Sequence, residues 1–367
     1  MKSYSKKISA LLVSLALVGC SNAEKKDYSH LDYYSDGKFQ NENQMKDTET
    51  SKFFRAMWAM MFETDPLAEP EVEIPVKAMT LQGLEYDIQS NDLVLYRLGH
   101  STILMALDGR FWLFDPMFSE RASPMQWIGP KRFHQPPLSI EDLPPLAGVI
   151  ISHNHYDHLD EDSIRQLAEK TERFYLPLGN TGLLGEWGIP QEKITELGWW
   201  ESVSSGDVEI VSTPAQHFSG RSLTDRNETL WTSWVIRTSS YSTYFSGDSG
   251  YFSGFSKIGE KYGPFDVTMM ENGAYNLLWP DVHMLPKETV QAHLDLKGKV
   301  LLPIHNGTFS LSTHSWRDPL IKVRMYSDEM GVNLATPIAG ERVVITQEKT
   351  AKGKYANAWW EATSDEK

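Results

Sequence analysis

Between positions 153 and 158 the chain reads His-Asn-His-Tyr-Asp-His, which puts three imidazoles and a carboxylate within six residues. Imidazole and carboxylate are the usual donors to zinc and other borderline divalent ions. Directly upstream, Gly148 and the apolar Val149, Ile150 and Ile151 predict a short buried strand. The donors therefore stand at a strand end, where the backbone can turn. His153 and His155 can point one way and Asp157 and His158 another, so one short loop can serve two ions. The alternative is a solvated loop rich in histidine, which leaves four donors after a buried strand unexplained.

Three further donors follow later predicted strands. His217 ends Thr213-Pro214-Ala215-Gln216-His217 after Val208–Ser212, Asp248 lies in Phe245-Ser246-Gly247-Asp248, and His305 lies in Leu302-Pro303-Ile304-His305. A single histidine at a strand end is more often structural than a ligand. Four strand ends that each deliver a donor form a ligand set. The expected division gives one ion His153, His155 and His217, the other Asp157, His158 and His305, with Asp248 bridging both. Zinc is the first expectation, while manganese or iron can occupy the same donors. Two dications about 3.5–4 Å apart can hold a bridging hydroxide as nucleophile and clamp the oxygens of an in-line displacement. A phosphodiester suits such a pair, because its non-bridging oxygens gain charge in the transition state. Asp115 is a candidate acceptor for a ligand N–H. His100 could serve likewise or be a buried, hydrogen-bonded histidine.

The elements that must position these groups read as α/β. Leu93–Leu98, Ile103–Leu107 and Phe111–Phe114 predict antiparallel strands, the last two joined by Asp108-Gly109, a strong hairpin signal. Phe118–Leu143, rich in Pro, Arg and aromatics, predicts a long loop with a function of its own. A helix is expected over Ser163–Lys170. Strands are expected at Phe174–Leu176, Val208–Ser212, Trp231–Arg237, Thr243–Ser246, Val267–Met270 and Val300–Pro303, with a helix over Leu285–Leu294. At 367 residues the chain can form one two-layered unit. Its net charge of −14 argues against nucleic acid as a partner, since that requires a basic footprint.

The ends read differently. Lys2, Lys6 and Lys7 precede an apolar run from Ile8 to Val18 that is too short for a permanent span. The run closes in Leu17-Val18-Gly19-Cys20, which resembles a bacterial lipobox. Residues 1–19 are then a lipoprotein signal peptide, and Cys20, the one cysteine, becomes the lipidated membrane anchor. Removing those three lysines leaves −17. Ser21 rather than Asp after Cys20 points to the outer membrane of a bacterial envelope, facing the periplasm. Residues 20–50 predict a flexible tether, 51–348 the folded domain and 349–367 a charged tail with Trp359 and Trp360 on its surface. Phe53, Phe54, Met57, Trp58 and Met61 fall on one face of a helix, which either caps the core or touches lipid.

The motif set HxHxDH, a later strand-end His, GD and a final His resembles the metallo-β-lactamase superfamily of two-metal hydrolases. Within it, the chain is most similar to the N-acylphosphatidylethanolamine-hydrolysing phospholipase D family. The likeness is carried by LGHST (98–102), DPMFSERASPMQWIGPKRF (115–133), SHNHYDHLD (152–160), PAQHFSGRSLTDRNETLWTSW (214–234), SGDSGYF (246–252), ENGAYN (271–276), VHMLPKETVQAHLDL (282–296) and IHNGTFSLS (304–312), and it runs from about Phe53 to Pro319. It departs at Asn306, where the family pattern has a large aromatic residue, and this bears on the pocket beside His305 and on acyl specificity.

The resemblance implies an αβ/βα sandwich, two facing mixed sheets with helices outside and the metals at one rim. It implies a phospholipid substrate, cleaved on the ethanolamine side of the phosphate as a phospholipase D cleaves. It also places His283 near the substrate phosphate as a hydrogen-bond donor or general acid; the alternative is a surface residue at a helix start. Arg221, Asp225 and Asn227 form a polar loop, read as a lock through an Arg–Asp pair. His293 and His314 read as structural or exposed. Two other functions remain: the same fold acting on a lactone or other carbonyl substrate, and a non-catalytic lipid-binding lipoprotein.

Overall fold

Strand runs that stay apolar over consecutive positions need cover on both faces, and in the computed structural model of the protein two facing sheets provide it. The structure describes residues 26–43, 55, 58–60, 62–90, 92–222, 224–346 and 351–362. A two-stranded ribbon, Tyr34–Ser35 (β1) and Lys38–Phe39 (β2), precedes the helix Leu81–Gln89 (α1). There follow Leu93–Gly99 (β3), Thr102–Leu107 (β4), Arg110–Phe114 (β5), Leu146–Ile150 (β6), the helix Glu161–Leu167 (α2), Phe174–Pro177 (β7), the helix Thr181–Glu186 (α3) and Ile194–Leu197 (β8). The second half runs Ser202–Ser205 (β9), Val208–Thr213 (β10), Ser233–Arg237 (β11), Ser242–Phe245 (β12), the helix Gly254–Tyr262 (α4), Val267–Glu271 (β13), the helix Pro286–Asp295 (α5), Leu301–Ile304 (β14), the helix Asp318–Glu329 (α6) and Arg342–Ile345 (β15).

Seven strands form one sheet in the order β15-β3-β4-β5-β6-β7-β8, and six form the other in the order β14-β13-β12-β11-β10-β9. Between them lie Leu95, Met105, Trp112 and Phe114 of the first sheet against Ile210, Trp234, Phe245 and Met269 of the second. Each such side chain contributes about 1.5–3 kcal/mol by leaving water. α1, α2 and α3 cover the outer face of the first sheet through Leu84, Ile164, Leu167 and Leu184. α4, α5 and α6 cover the second through Phe255, Ile258, Val290 and Val323. This is the expected αβ/βα sandwich. The hairpin at Asp108-Gly109 forms as read, with φ of 56° and 67° at its two central residues, the signature of a primed turn.

Two boundaries differ from the sequence reading. Residues 26–43, expected as part of the tether, pack onto the domain: Tyr28, Tyr33, Tyr34 and the buried Phe39 surround Trp199 and Trp231. Four aromatics in a polar segment are enough to fix it, because each buries a large ring. In the tail, Trp360 is fully buried and Trp359 nearly so, against Ile74, Trp316 and Leu320. They complete a satellite core instead of lying on the surface. The strand expected from Trp231 begins at Ser233, since the Trp231 indole turns aside to donate to Asn41 Oδ1 at 2.9 Å. Cys20, Phe53, Phe54, Met57 and Met61 lie outside the described residues. Trp58 of the same apolar stretch is 56% exposed. Among the described residues no helix is long and apolar enough to cross a membrane.

Candidate metal centre

Strand direction gathers the donors. β3, β5 and β6 run one way through the first sheet, and β10, β12, β13 and β14 share one direction in the second. Their C-terminal ends deliver His100, Asp115, the 152–160 loop, His217, Asp248, Glu271 and His305 to a common rim. The two sheets are stitched there by an antiparallel bridge between His100 and Asn306, with the His305 amide donating to the His100 carbonyl at 3.2 Å. His100, Asp115 and His305 carry left-handed φ of 50°, 37° and 63°. Such backbone costs about 1–3 kcal/mol per residue and persists only where the surroundings impose it.

The first cluster is His153, His155 and His217. His153 Nε2 and His155 Nδ1 are 2.8 Å apart, and His217 Nε2 is 3.3 Å from His155 Nδ1. The second is Asp157, His158 and His305, in which Asp157 Oδ2 lies 3.3 Å from His158 Nε2 and 3.2 Å from His305 Nε2. Asp248 stands between them. Its Oδ1 is 3.2 Å from His158 Nε2, and its Oδ2 is 3.1 Å from His305, 3.8 Å from His217 and 3.9 Å from His153. The seven residues are thus brought together in the two sets expected, with Asp248 shared.

These donors fit divalent ions. Four nitrogen or oxygen ligands at about 2.0–2.2 Å around a tetrahedral ion stand roughly 3.3 Å from one another, close to the 2.8–3.3 Å between donors in the two clusters. His158 Nε2 and Asp248 Oδ1 are buried with no hydrogen-bond partner, which an ion between them would satisfy. The opposite ring nitrogens are already engaged: His158 Nδ1 on Asp115 at 2.7 Å, His217 Nδ1 on the Val282 carbonyl at 2.9 Å and His153 Nδ1 with Ser152 Oγ at 2.9 Å. Those contacts fix which nitrogen faces the centre.

Electrostatics prepare the same state. Burial holds His153 and His217 well below the ordinary imidazole range and lowers His155 to about 4, so the first cluster is neutral and ready to coordinate. Burial opposes charge on Asp157 and Asp248, yet the facing imidazoles, His158 first, hold both carboxyls well below the carboxylate range. Burial likewise opposes a proton on His305, and the Asp248 carboxylate outweighs it, raising this imidazole to about 10. The two carboxylates demand positive charge at their side of the centre.

His283 borders the ligand set. Its Nδ1 is 3.2 Å from Glu271 Oε1 and 4.0 Å from Asp248 Oδ2, and its ring centroid is 5.2 Å from that of His217. Its side chain and that of Asp157 keep 12% and 16% of their exposure, while the other ligand candidates at 153, 158, 217, 248 and 305 are closed off. Glu271 itself is fully buried, and it also accepts from the amides of Gly273 and Met284. Sequence reasoning missed it, although an acid ending the apolar run Val267–Met270 was a signal. His100, left open, places Nε2 2.9 Å from Asp157 Oδ2. The polar loop is locked, but not by an Arg–Asp side-chain pair. The Arg221 guanidinium donates to the carbonyls of Asn154 and Leu159, at 2.9 and 2.7 Å, while Asp225 accepts from the Arg221 amide. His293 is buried against Thr268, and His314 donates to the Gly273 carbonyl.

Residues 110–306 match the family model of the beta-lactamase superfamily domain. An uncharacterised protein of Mycobacterium tuberculosis is 41% identical over 280 residues, which cover 75% of this chain and 74% of that one. The N-acyl-phosphatidylethanolamine-hydrolyzing phospholipase D 1 of Caenorhabditis elegans is 36% identical over 244 residues, covering 63% of this chain and 68% of that protein. Among solved structures, Igni18, a metallo hydrolase of the archaeon Ignicoccus hospitalis, superposes with a TM-score of 0.55 at 20% identity over 70% of this chain and 99% of its own. At that identity the likeness is one of fold.

Proposed function

We propose, from the premise that this chain belongs to the metallo-β-lactamase superfamily and within it to the N-acylphosphatidylethanolamine-hydrolysing phospholipase D family, that it is a two-metal phosphodiesterase acting on N-acylated phosphatidylethanolamine or a related envelope phospholipid. The superfamily makes it a metal-dependent hydrolase; the phospholipid is our reading. The observation that carries it is Asp248, whose carboxylate stands between the two clusters, Oδ1 and Oδ2 at 3.2 and 3.1 Å from His158 and His305 and Oδ2 also at 3.8 and 3.9 Å from His217 and His153, at a rim that stays open at Asp157 and His283. His153, His155 and His217 would hold one cation, Asp157, His158 and His305 the other, and Asp248 both. Bound there, two divalent ions supply Lewis acidity toward phosphoryl oxygens and acidify water.

The chain's own groups do the rest. Asp115 and the Val282 carbonyl orient His158 and His217. Glu271 accepts from His283 Nδ1, and Nε2 of the doubly protonated ring would donate to the substrate phosphate or to the departing alcohol. Water adds to phosphorus, the bond from phosphorus to the N-acylethanolamine oxygen breaks, and the leaving oxygen gains a proton. The products are phosphatidic acid and an N-acylethanolamine. The protein would meet its substrate at the envelope, held by a lipidated Cys20. Cys20→Ser should move it from the carbonate-washed membrane fraction to the soluble one, and full retention after that wash would remove that anchor.

The test is product analysis. Zinc-loaded protein incubated with N-acylphosphatidylethanolamine in mixed micelles should release phosphatidic acid and N-acylethanolamine, detected by mass spectrometry. Ring opening of lactones with the phospholipid left intact would overturn the reading in favour of carbonyl chemistry. Two held metals with no turnover on either panel would leave a lipid-binding protein.

A further inference from the structure

The loop between Ser119 and Phe133 is wired internally to an unusual degree. Its strands pair through Arg121 and Lys131, and the Ala122 amide donates to the Pro130 carbonyl at 3.0 Å. Gln126 folds back, accepting from the Arg121 amide at 2.9 Å and donating to the Arg121 carbonyl at 3.0 Å. Gly129, at φ of +103°, lies so close to Ser123 that a Cβ would stand 2.7 Å from that residue's own. With its polar groups bonded among themselves, the loop turns the opposite chemistry outward. Trp127 is 74% exposed, Ile128 51% and Met125 44%. Apolar side chains grouped at a prominence are not explained by packing.

The loop's roots say what it is next to. Ser119 bonds Asp160, the end of the donor loop, through its amide and hydroxyl at 3.1 and 2.9 Å. The Phe133 amide donates to the Thr308 carbonyl at 2.8 Å, three residues past His305. The projection therefore rises from the rim of the metal centre. Charge supports a lipid partner. Residues 119–133 hold three bases, Arg121, Lys131 and Arg132, to one acid, Glu120, in a chain of net charge −14. Of the bases, Lys131 is exposed and paired with Glu120 at 2.9 Å, Arg121 is half-buried with its guanidinium on the Gly129 carbonyl, and Arg132 is buried, so the loop carries a small positive surplus at its base. Tryptophan favours the headgroup layer of a bilayer, and basic groups behind it meet anionic phosphates.

We propose that the loop tip Met125–Ile128 is an interfacial wedge, whose Trp127, Ile128 and Met125 enter the headgroup layer of a phospholipid bilayer and seat the metal rim on it. The proposal deepens the phospholipid reading, since it supplies that site's route to a lipid that does not leave its membrane. N-acylation removes the ammonium charge of phosphatidylethanolamine, so the substrate itself is anionic and suits a basic approach.

The experiment uses the mature chain from residue 20 carrying Cys20→Ser, so that neither the apolar signal segment nor an acyl anchor contributes. Binding to vesicles of phosphatidylethanolamine and phosphatidylglycerol is measured by co-sedimentation, beside hydrolysis of vesicle-borne and of short-chain, monomeric N-acylphosphatidylethanolamine. Trp127→Ser with Ile128→Ser should lower vesicle affinity and vesicle-borne turnover at least tenfold and leave turnover of the monomeric diester unchanged. Trp127→Tyr should keep most of the binding. Unchanged vesicle affinity in the double variant overturns the wedge, as does an equal loss on both substrates. If the parent protein binds vesicles through this loop but cleaves neither diester, the wedge stands and the phosphodiesterase reading falls.

Discussion

His158 donates from Nδ1 to the Asp115 carboxylate across 2.7 Å at the floor of the site, where neither side chain meets solvent. The same carboxylate takes the Ser152 amide at 2.7 Å and the Ser152 hydroxyl at 2.6 Å. Burial leaves the Asp115 pKa raised, and His158 and Ser152 pull it only part of the way back, so this acceptor depends on its partners for its charge. One buried carboxylate thus sets both the start of the donor loop and the ring orientation of a donor within it.

Asp115→Asn should therefore weaken the centre without touching an ion. The amide keeps the size but brings two N–H groups where three donors already point. Partners of this kind are worth about 10–100-fold in metal affinity, and a mismatched buried bond costs about 1–3 kcal/mol of stability. Metal retained after dialysis against a weak chelator should fall by that factor, with far-ultraviolet circular dichroism unchanged. Retention equal to the parent would show that Asp115 serves the loop alone.

Asp248→Asn tests the sharing itself. A carboxylate places a full negative charge over two oxygens between the clusters, and an amide offers one neutral oxygen. Metal content by mass spectrometry should drop from about two equivalents per chain toward one, and turnover should be lost while the fold persists. His155→Ala should also abolish turnover, but through the first cluster, leaving Asp157, His158 and His305 to retain metal. Full activity in either variant would remove the assignment of the site.

The convergence of the candidate donors was legible because coordination chemistry restricts them to a few residue types, and sheet topology places those types just past strands. His153, His155, Asp157, His158, His217, Asp248 and His305 all carry that signature in the sequence. The groups that hold them do not. Glu271 acquires its role only when β13 and β14 pair and His283 folds back over it. Asn41 bonds the His217 backbone in both directions, 176 positions away, and no local pattern announces such a contact. The burial of Phe39 and Trp360 was hidden for another reason: Phe39 sits between Lys38 and Gln40, and Trp360 in a short tail with lysines before it and acids after it, so average composition outweighs a few aromatics in any reading by window.

His293 predicts a pH dependence separate from the metals. Buried on α5, with Thr268 Oγ1 2.7 Å from its Nδ1, it is lowered by burial to about 4. An unfolded histidine takes up its proton near pH 6.5, so between pH 6.5 and about 4 the unfolded chain binds a proton that the folded chain refuses. The stability is present above pH 6.5 and lost as the pH falls toward 4, on the order of 3 kcal/mol. Urea unfolding of chelator-treated protein should show wild-type stability falling more steeply over that window than His293→Gln, by up to one proton. Parallel profiles would mean that His293 is protonated in the fold.

Gly273 shows how closely the two strand ends of the second sheet approach. A Cβ there would stand 1.5 Å from the His305 carbonyl oxygen and 2.8 Å from His305 Nδ1. The obstacle is mainly backbone, so Gly273→Ala must displace the segment that aims His305 at Asp157 and Asp248. Overpacking of this kind costs about 1–3 kcal/mol, or roughly 2–10 °C in Tm for a domain of this size. The loss should come with a selective loss of metal from the second cluster, since His153, His155 and His217 sit on other strand ends. Gly182→Ala is the control, because no atom lies within 4 Å of a Cβ built at that position of α3. It should hold or slightly raise Tm, by limiting the unfolded chain, and keep both metals. Equal metal content in the two variants would mean that the β14 end moves freely without the centre.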